Sequence, residues 1–296
     1  MRHFVRPFAT LLSLSIAVQP LAAAPLTLEP SSDWTLWARE DVCRVVREFG
    51  TGDQKVIAQF EKSGPASALS LLLAGNPVAF PDRGRDLEAA LGPANQVNTF
   101  PFGAVMRGEA TGPASLPTLL IGSIEGSIRP AGTPPESNLQ LMPKNFSNIS
   151  WLSIGYTGGK GTVVLQLQNM KEPLSSLRRC TMSLLRSWGF DPGNPETMPA
   201  VPPMPRGDPG NWLSSADYPA DDRRIGHSAV INFRLMIDAN GKATACHVQS
   251  TTIGESFRNA TCKLIMKRAR FSPGLNAGGK PVASWYENSV RWVTPG

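Results

Sequence analysis

Four cysteines, at 43, 180, 246 and 262, are the side chains with the most chemistry to offer. A metal site fails on spacing. There is no C-x-x-C and no H-x-x-x-H, and beyond the N-terminal segment only His227 and His247 could join cysteines as ligands. Other near-motifs fail on register. The run Gly155-Tyr156-Thr157-Gly158-Gly159-Lys160-Gly161-Thr162 hints at a phosphate-binding loop. However, Ile154 stands where its first glycine should be, and no Ser or Thr directly follows Lys160, so a glycine-rich hairpin turn is expected instead. Gly122-Ser123 lacks a G-x-S-x-G frame. Asp221-Asp222 is a carboxylate pair, but Arg223-Arg224 follows it, which reads as a solvated helix turn. Lys263, Lys267, Arg268 and Arg270 form a basic cluster whose default reading is a charged outer face. No catalytic residue, metal ligand or cofactor is expected, and the chain reads as a non-enzyme.

The compartment decides what the cysteines do. Arg2, His3 and Arg6 precede an apolar stretch at 8–18 and the small run Ala22-Ala23-Ala24, the order of a secretory signal. The stretch is about half the roughly 20 apolar residues of a bilayer span. Residues 1–23 are therefore expected to be a cleaved signal, with no membrane span left after cleavage. The alternative is a retained anchor. Cleavage would remove two arginines and no carboxylate, lowering the net charge from +6 to +4. That mild balance is not a nucleic-acid signature. An exported chain sits in an oxidising compartment, where the four cysteines would persist as disulfides, with three connectivities open.

Residues 191–211 hold seven prolines in 21 positions and read as a linker. Proline fixes φ and lacks a donor, so this stretch is expected to join neither helix nor sheet. It would form a semi-rigid spacer of on the order of 3 Å per residue unless something docks it. Before it, residues 28–190 read as a β-rich domain. Runs at 42–49 and 55–60 flank the turn Gly50-Thr51-Gly52-Asp53, and further short strands follow at 68–73, 119–121, 151–156 and 162–167. A closing helix begins near Pro173 and places Leu174, Leu177, Thr181, Leu184, Leu185 and Trp188 on one face.

After the linker, residues 213–296 read as helix, strand, strand, helix, strand. A short helix ends at Gly226. Val230, Asn232, Arg234 and Met236 then alternate with Ile231, Phe233, Leu235 and Ile237, a half-buried strand. Asn240-Gly241 signals a type I′ turn. A helix at 255–268 carries Phe257, Ala260, Thr261, Leu264 and Ile265, and an aromatic strand at 282–293 closes the chain. The fold class is thus α+β: a β-rich N-terminal domain closed by one helix, a Pro-rich linker, and a small domain with an antiparallel sheet under a helix. This layout favours Cys43–Cys180 and Cys246–Cys262 as the disulfides.

Several markers of the last domain occur together. They are Tyr218-Pro219 before the first helix, Arg223-Arg224-Ile225-Gly226, Ile237-Asp238-Ala239-Asn240-Gly241-Lys242, Arg270-Phe271-Ser272-Pro273, and Gly279-Lys280-Pro281-Val282 before the aromatic strand. In this order the domain resembles the C-terminal domain of the TonB family. The resemblance implies a periplasmic protein that binds an extended segment of an envelope partner, such as an outer-membrane transporter, as an added strand. The positions implied are the edge formed by Trp285, Tyr286, Glu287, Asn288, Ser289, Val290, Arg291 and Trp292, with Tyr218 and Pro219 beside it. The same edge could instead pair with a second copy in a homodimer. A membrane-anchored energy transducer, or an N-terminal domain that is the active binding module, are the alternative functions.

Overall fold

The computed structural model describes residues 24–65, 67, 69–80, 86–92, 96–100, 105–109, 116–121, 148–156, 161–249 and 254–293. The expected signal at 1–23, Gly122-Ser123 and the middle of the glycine-rich run lie outside these residues.

The described residues of the N-terminal region hold eleven strands: β1 (Leu26–Leu28), β2 (Thr35–Arg39), β3 (Val42–Phe49), β4 (Val56–Lys62), β5 (Ser70–Ala74), β6 (Leu87–Gly92), β7 (Gln96–Phe100), β8 (Val105–Glu109), β9 (Pro117–Ile121), β10 (Trp151–Tyr156) and β11 (Val163–Leu165). They form one sheet ordered β1-β11-β10-β6-β7 and another ordered β2-β3-β4-β5-β9-β8. Pairing is antiparallel except for β1 on β11. The hairpin expected around Gly50–Asp53 is β3–β4, with Phe49 opposite Val56. Val45, Phe60, Leu71, Leu152 and Leu165 share a single apolar core drawn from both sheets.

Helix α1 (Lys171–Ser187) closes this core with Leu174, Leu177 and Leu184. It starts two residues before Pro173, which the first turn tolerates because its nitrogen would lack an intrahelical partner anyway. Cys180 on α1 bonds to Cys43 on β3, tying together residues 137 positions apart with Cα atoms 6.0 Å apart.

The Pro-rich stretch is docked rather than free. Met198 is buried, Val201 bridges Leu275, and β12 (Met204–Pro205) pairs with β15 (Phe271–Ser272). The expectation that this stretch joins no sheet is corrected: a two-residue edge pairing tolerates a proline.

The C-terminal region contains α2 (Ala220–Arg224), β13 (Ala229–Ile237), β14 (Ala243–Val248), α3 (Glu255–Arg268), β15 (Phe271–Ser272), β16 (Gly274–Leu275), β17 (Pro281–Val282) and β18 (Ser284–Trp292). The main sheet is antiparallel in the order β14-β13-β18. Ile231, Phe233, Leu235 and Ile237 face α3, whose Phe257 and Ile265 are buried against them. Cys246 on β14 bonds to Cys262 on α3.

The β13–β14 turn differs from the expected type I′ form. Only Gly241 has positive φ, +80°, and its N–H bonds to the Asp238 carbonyl at 3.0 Å. The register also shifts between Met236 and Ile237. This is a longer connection with a bulge, which relieves Asn240 of a left-handed conformation. A Cβ on Gly241 would sit 2.1 Å from the Phe271 carbonyl oxygen. The turn is therefore pressed against β15. Among the described residues no helix is long and apolar enough to cross a membrane.

Removing the long-range disulfide with Cys43→Ser/Cys180→Ser should lower unfolding free energy by about 5 kcal/mol in the chain-entropy model. Urea unfolding of the oxidised protein and the double variant checks this.

Candidate functional site

Among the described residues strand β18 pairs only with β13, so within them it is an edge of the C-terminal sheet. Ala229 opposes Trp292, and the register runs without a break to Ile237 opposite Ser284. The direction of its backbone groups follows from one bond. The Asn232 carbonyl accepts from Gln249 N–H on the β14 side at 2.8 Å. Both backbone groups of a strand residue lie on one side, so Asn232 does not bond to its partner Ser289. By alternation, Tyr286, Asn288, Val290 and Trp292 bond to β13, while the N–H and C=O of Trp285, Glu287, Ser289 and Arg291 point outward. In agreement, Ser289 N–H is satisfied locally, donating to Asn288 Oδ1 at 2.8 Å.

Most aromatic side chains of the implied site are spent on the core. Tyr218 is buried, packs edge-on against Phe257 and Trp292, and donates from its hydroxyl to the His227 carbonyl. Trp292 is buried and its Nε1 donates to Thr261 Oγ1 at 2.9 Å. Trp285 is buried against Phe190 and Trp188. Tyr286 is half-buried against Phe271 and Trp212. Pro219 and Val290 are half-buried, while Asn288, Ser289 and Arg291 are exposed. What the edge offers a partner is therefore backbone, plus the exposed polar side chains of its second half.

The face of the sheet opposite α3 is also covered. The alternation suggests a solvated row at Val230, Asn232, Arg234 and Met236, but Arg234 is only 3% exposed. Its Nη1 donates to Asp41 Oδ1, after β2, at 2.8 Å, and its guanidinium lies 3.8 Å from the Trp188 ring centre. Gln249 Nε2 donates to the Ser63 carbonyl at 2.7 Å and to Glu287 Oε1 at 3.2 Å. Gly64 fits because it lacks a side chain: a Cβ there would come within 2.2 Å of Glu287 Oε1. The N-terminal region is thus seated on this face, and sequence alternation alone carries no sign of it. Asp222, expected in a solvated turn, is buried, with one oxygen 3.4 Å from His227 Nδ1.

Burial pushes the Glu287 carboxyl above the ordinary carboxylate range, against the opposing pull of Gln249, Lys62, Trp285 and Arg234. Burial, with Arg234 nearby, pushes the His247 imidazole down. The sign for Glu287 follows. Well below the unfolded pKa of about 4.3 the group is neutral in both states and costs nothing. As pH rises through the raised folded pKa, ionisation is disfavoured in the fold and stability is lost.

Glu287→Gln should therefore remove that part of the pH dependence. The thermal midpoint of wild type should fall relative to the variant as pH rises from about 4 toward neutrality. Differential scanning calorimetry at closely spaced pH values checks it. A difference that stays constant across the range would contradict the burial argument.

No curated protein matches the chain. The family comparison is confined to the C-terminal region and leaves the N-terminal β region outside it. Residues 214–294 match the family model for the Gram-negative bacterial TonB protein C-terminal, so this region carries a TonB C-terminal domain.

Proposed function

We propose that the protein is a non-catalytic periplasmic adaptor that takes an extended segment of an envelope protein as a fourth strand along β18. An outer-membrane transporter is the partner implied by the TonB resemblance. The observation that carries this reading is the one-sided pairing of β18, with outward backbone groups at Trp285, Glu287, Ser289 and Arg291. Strand addition draws affinity from such groups and selectivity from alternate side-chain positions. An incoming segment of about seven residues would span these four positions. The Pro-rich stretch pairs with β15 and bridges Leu275, so it does not fill the ladder position beside β18. The local bond that Ser289 N–H donates to Asn288 Oδ1 satisfies an edge donor until a partner replaces it.

Ser289→Pro tests this directly. It deletes an outward donor while leaving the bonds to β13 intact, a position where an edge strand tolerates proline. Affinity for a peptide from the N-terminal segment of an outer-membrane transporter should fall roughly tenfold or more, with the thermal midpoint changed by only a few degrees. Peptides N-methylated on alternate amides should split into two classes, one unable to bind and one unaffected. Equal binding by both classes would sink the strand-addition reading. A stable dimer with protected β18 amides would assign the edge to a second copy.

A further inference from the structure

Away from β18, at the turn end of the C-terminal sheet, lies an open cleft of about 690 Å³. Four cations line it, each from a different place in the chain: Arg206 after β12, Lys242 just before β14, Lys267 in the last turn of α3, and Arg270 before β15. Met266 and Phe271 supply an apolar part of the lining, and among the described residues no carboxylate lines the cleft. None of the four cations is in an ion pair among the described residues, whereas Arg44, Lys55, Arg234 and Arg268 are.

The cations are held by a fixed frame. Arg206 N–H donates to the Arg270 carbonyl at 2.7 Å, and Phe271 N–H donates to the Gly241 carbonyl at 3.1 Å. Arg270 Nη1 donates to the Lys267 and Ala269 carbonyls, offsetting the negative end of α3 that would otherwise oppose an anion. The nearest turn carboxylate, Asp238, accepts from the N–H groups of Asn240 and Lys242, both at 2.9 Å, and does not line the cleft.

Four like charges brought together without counter-charges repel one another unless an anion joins them. Guanidinium forks match phosphate oxygens in pairs, and ammonium groups add point charge. The volume exceeds what one phosphate needs and falls in the range of small-molecule sites. We propose that this cleft binds a phosphate-bearing ligand, its phosphate between Arg206, Lys242, Lys267 and Arg270 and its body against Met266 and Phe271. A lipid headgroup and a free phosphorylated compound share this chemistry.

The test uses the full chain and inorganic pyrophosphate, titrated by calorimetry at constant ionic strength. Saturable binding is expected. Lys242→Gln/Lys267→Gln should weaken it roughly tenfold or more, since each lysine supplies a charge-assisted contact. Lys263→Gln, exposed on the same helix but outside the cleft, should bind as wild type, and thermal midpoints confirm that both variants fold. Sedimentation with phosphatidylcholine vesicles, with and without phosphatidic acid, separates the sources. Co-sedimentation that needs phosphatidic acid and is displaced by pyrophosphate assigns the ligand to a headgroup. Pyrophosphate binding without vesicle binding assigns it to a soluble phosphate compound. Absence of saturable heat, or equal weakening by Lys263→Gln, overturns the site.

Discussion

A guanidinium that is 3% exposed must find its compensation where it sits, and Arg234 finds it in the other half of the chain. Asp41 supplies the opposite charge, and Trp188 supplies a ring face at 3.8 Å. Removing either region from the other would leave charges that evolved for burial facing a changed solvent, or a desolvated charge without its partner. Breaking such a pair from one side typically costs about 3–5 kcal/mol, whereas replacing it whole by apolar groups is often neutral. The network therefore contributes more to how the two regions register than to net stability. Gln249, reaching both Ser63 and Glu287, fixes the same register at a second point.

That docking changes what the C-terminal sheet can offer. One face belongs to α3, through Phe233, Leu235 and Ile237, and the other to the N-terminal region. The Pro-rich stretch is tied to the same unit through Met198, Val201 and Met204–Pro205. With both faces occupied and the aromatic side chains of β18 largely committed to packing, what this sheet leaves open is its backbone edge. A free, extended spacer would have suggested reach across the periplasm. A docked one suggests a rigid receptor.

Much of the C-terminal region was legible because its signals are local. The alternation of β13, the stripe Phe257, Thr261 and Ile265 on α3, and the glycine of the 238–242 turn are all written within a few residues. The two disulfides followed from assigning one pair to each region. The strands β1, β2, β6, β7 and β8 carry weaker sequence patterns, and β1 gains its place by parallel pairing with residues far along the chain. Arg234 was illegible for a physical reason. A charged residue on the polar face of a strand looks the same whether water or a carboxylate from another region compensates it. The burial of Met198 and the backbone pairing of Met204 with Ser272 were hidden likewise, since proline density signals a stiff chain and not what the chain rests on.

The sheet has two edges, and they are not equivalent templates. β14 is six residues long, opposes β13 across a bulge at Met236/Ile237, and is clamped to α3 by Cys246–Cys262. A bulge twists the strand and disturbs the ladder spacing that an added strand must match. β18 is nine residues long with unbroken register, and its side-chain packing at Trp285 and Trp292 fixes both ends. A rigid edge loses little conformational entropy on binding, so more of each backbone hydrogen bond appears as affinity. Long, regular edges are a hazard for aggregation, and exposed Arg291 with the self-satisfied Ser289 N–H blunt that hazard without closing the edge. The strand best suited to accept a partner is thus also the one given a local means of waiting for it.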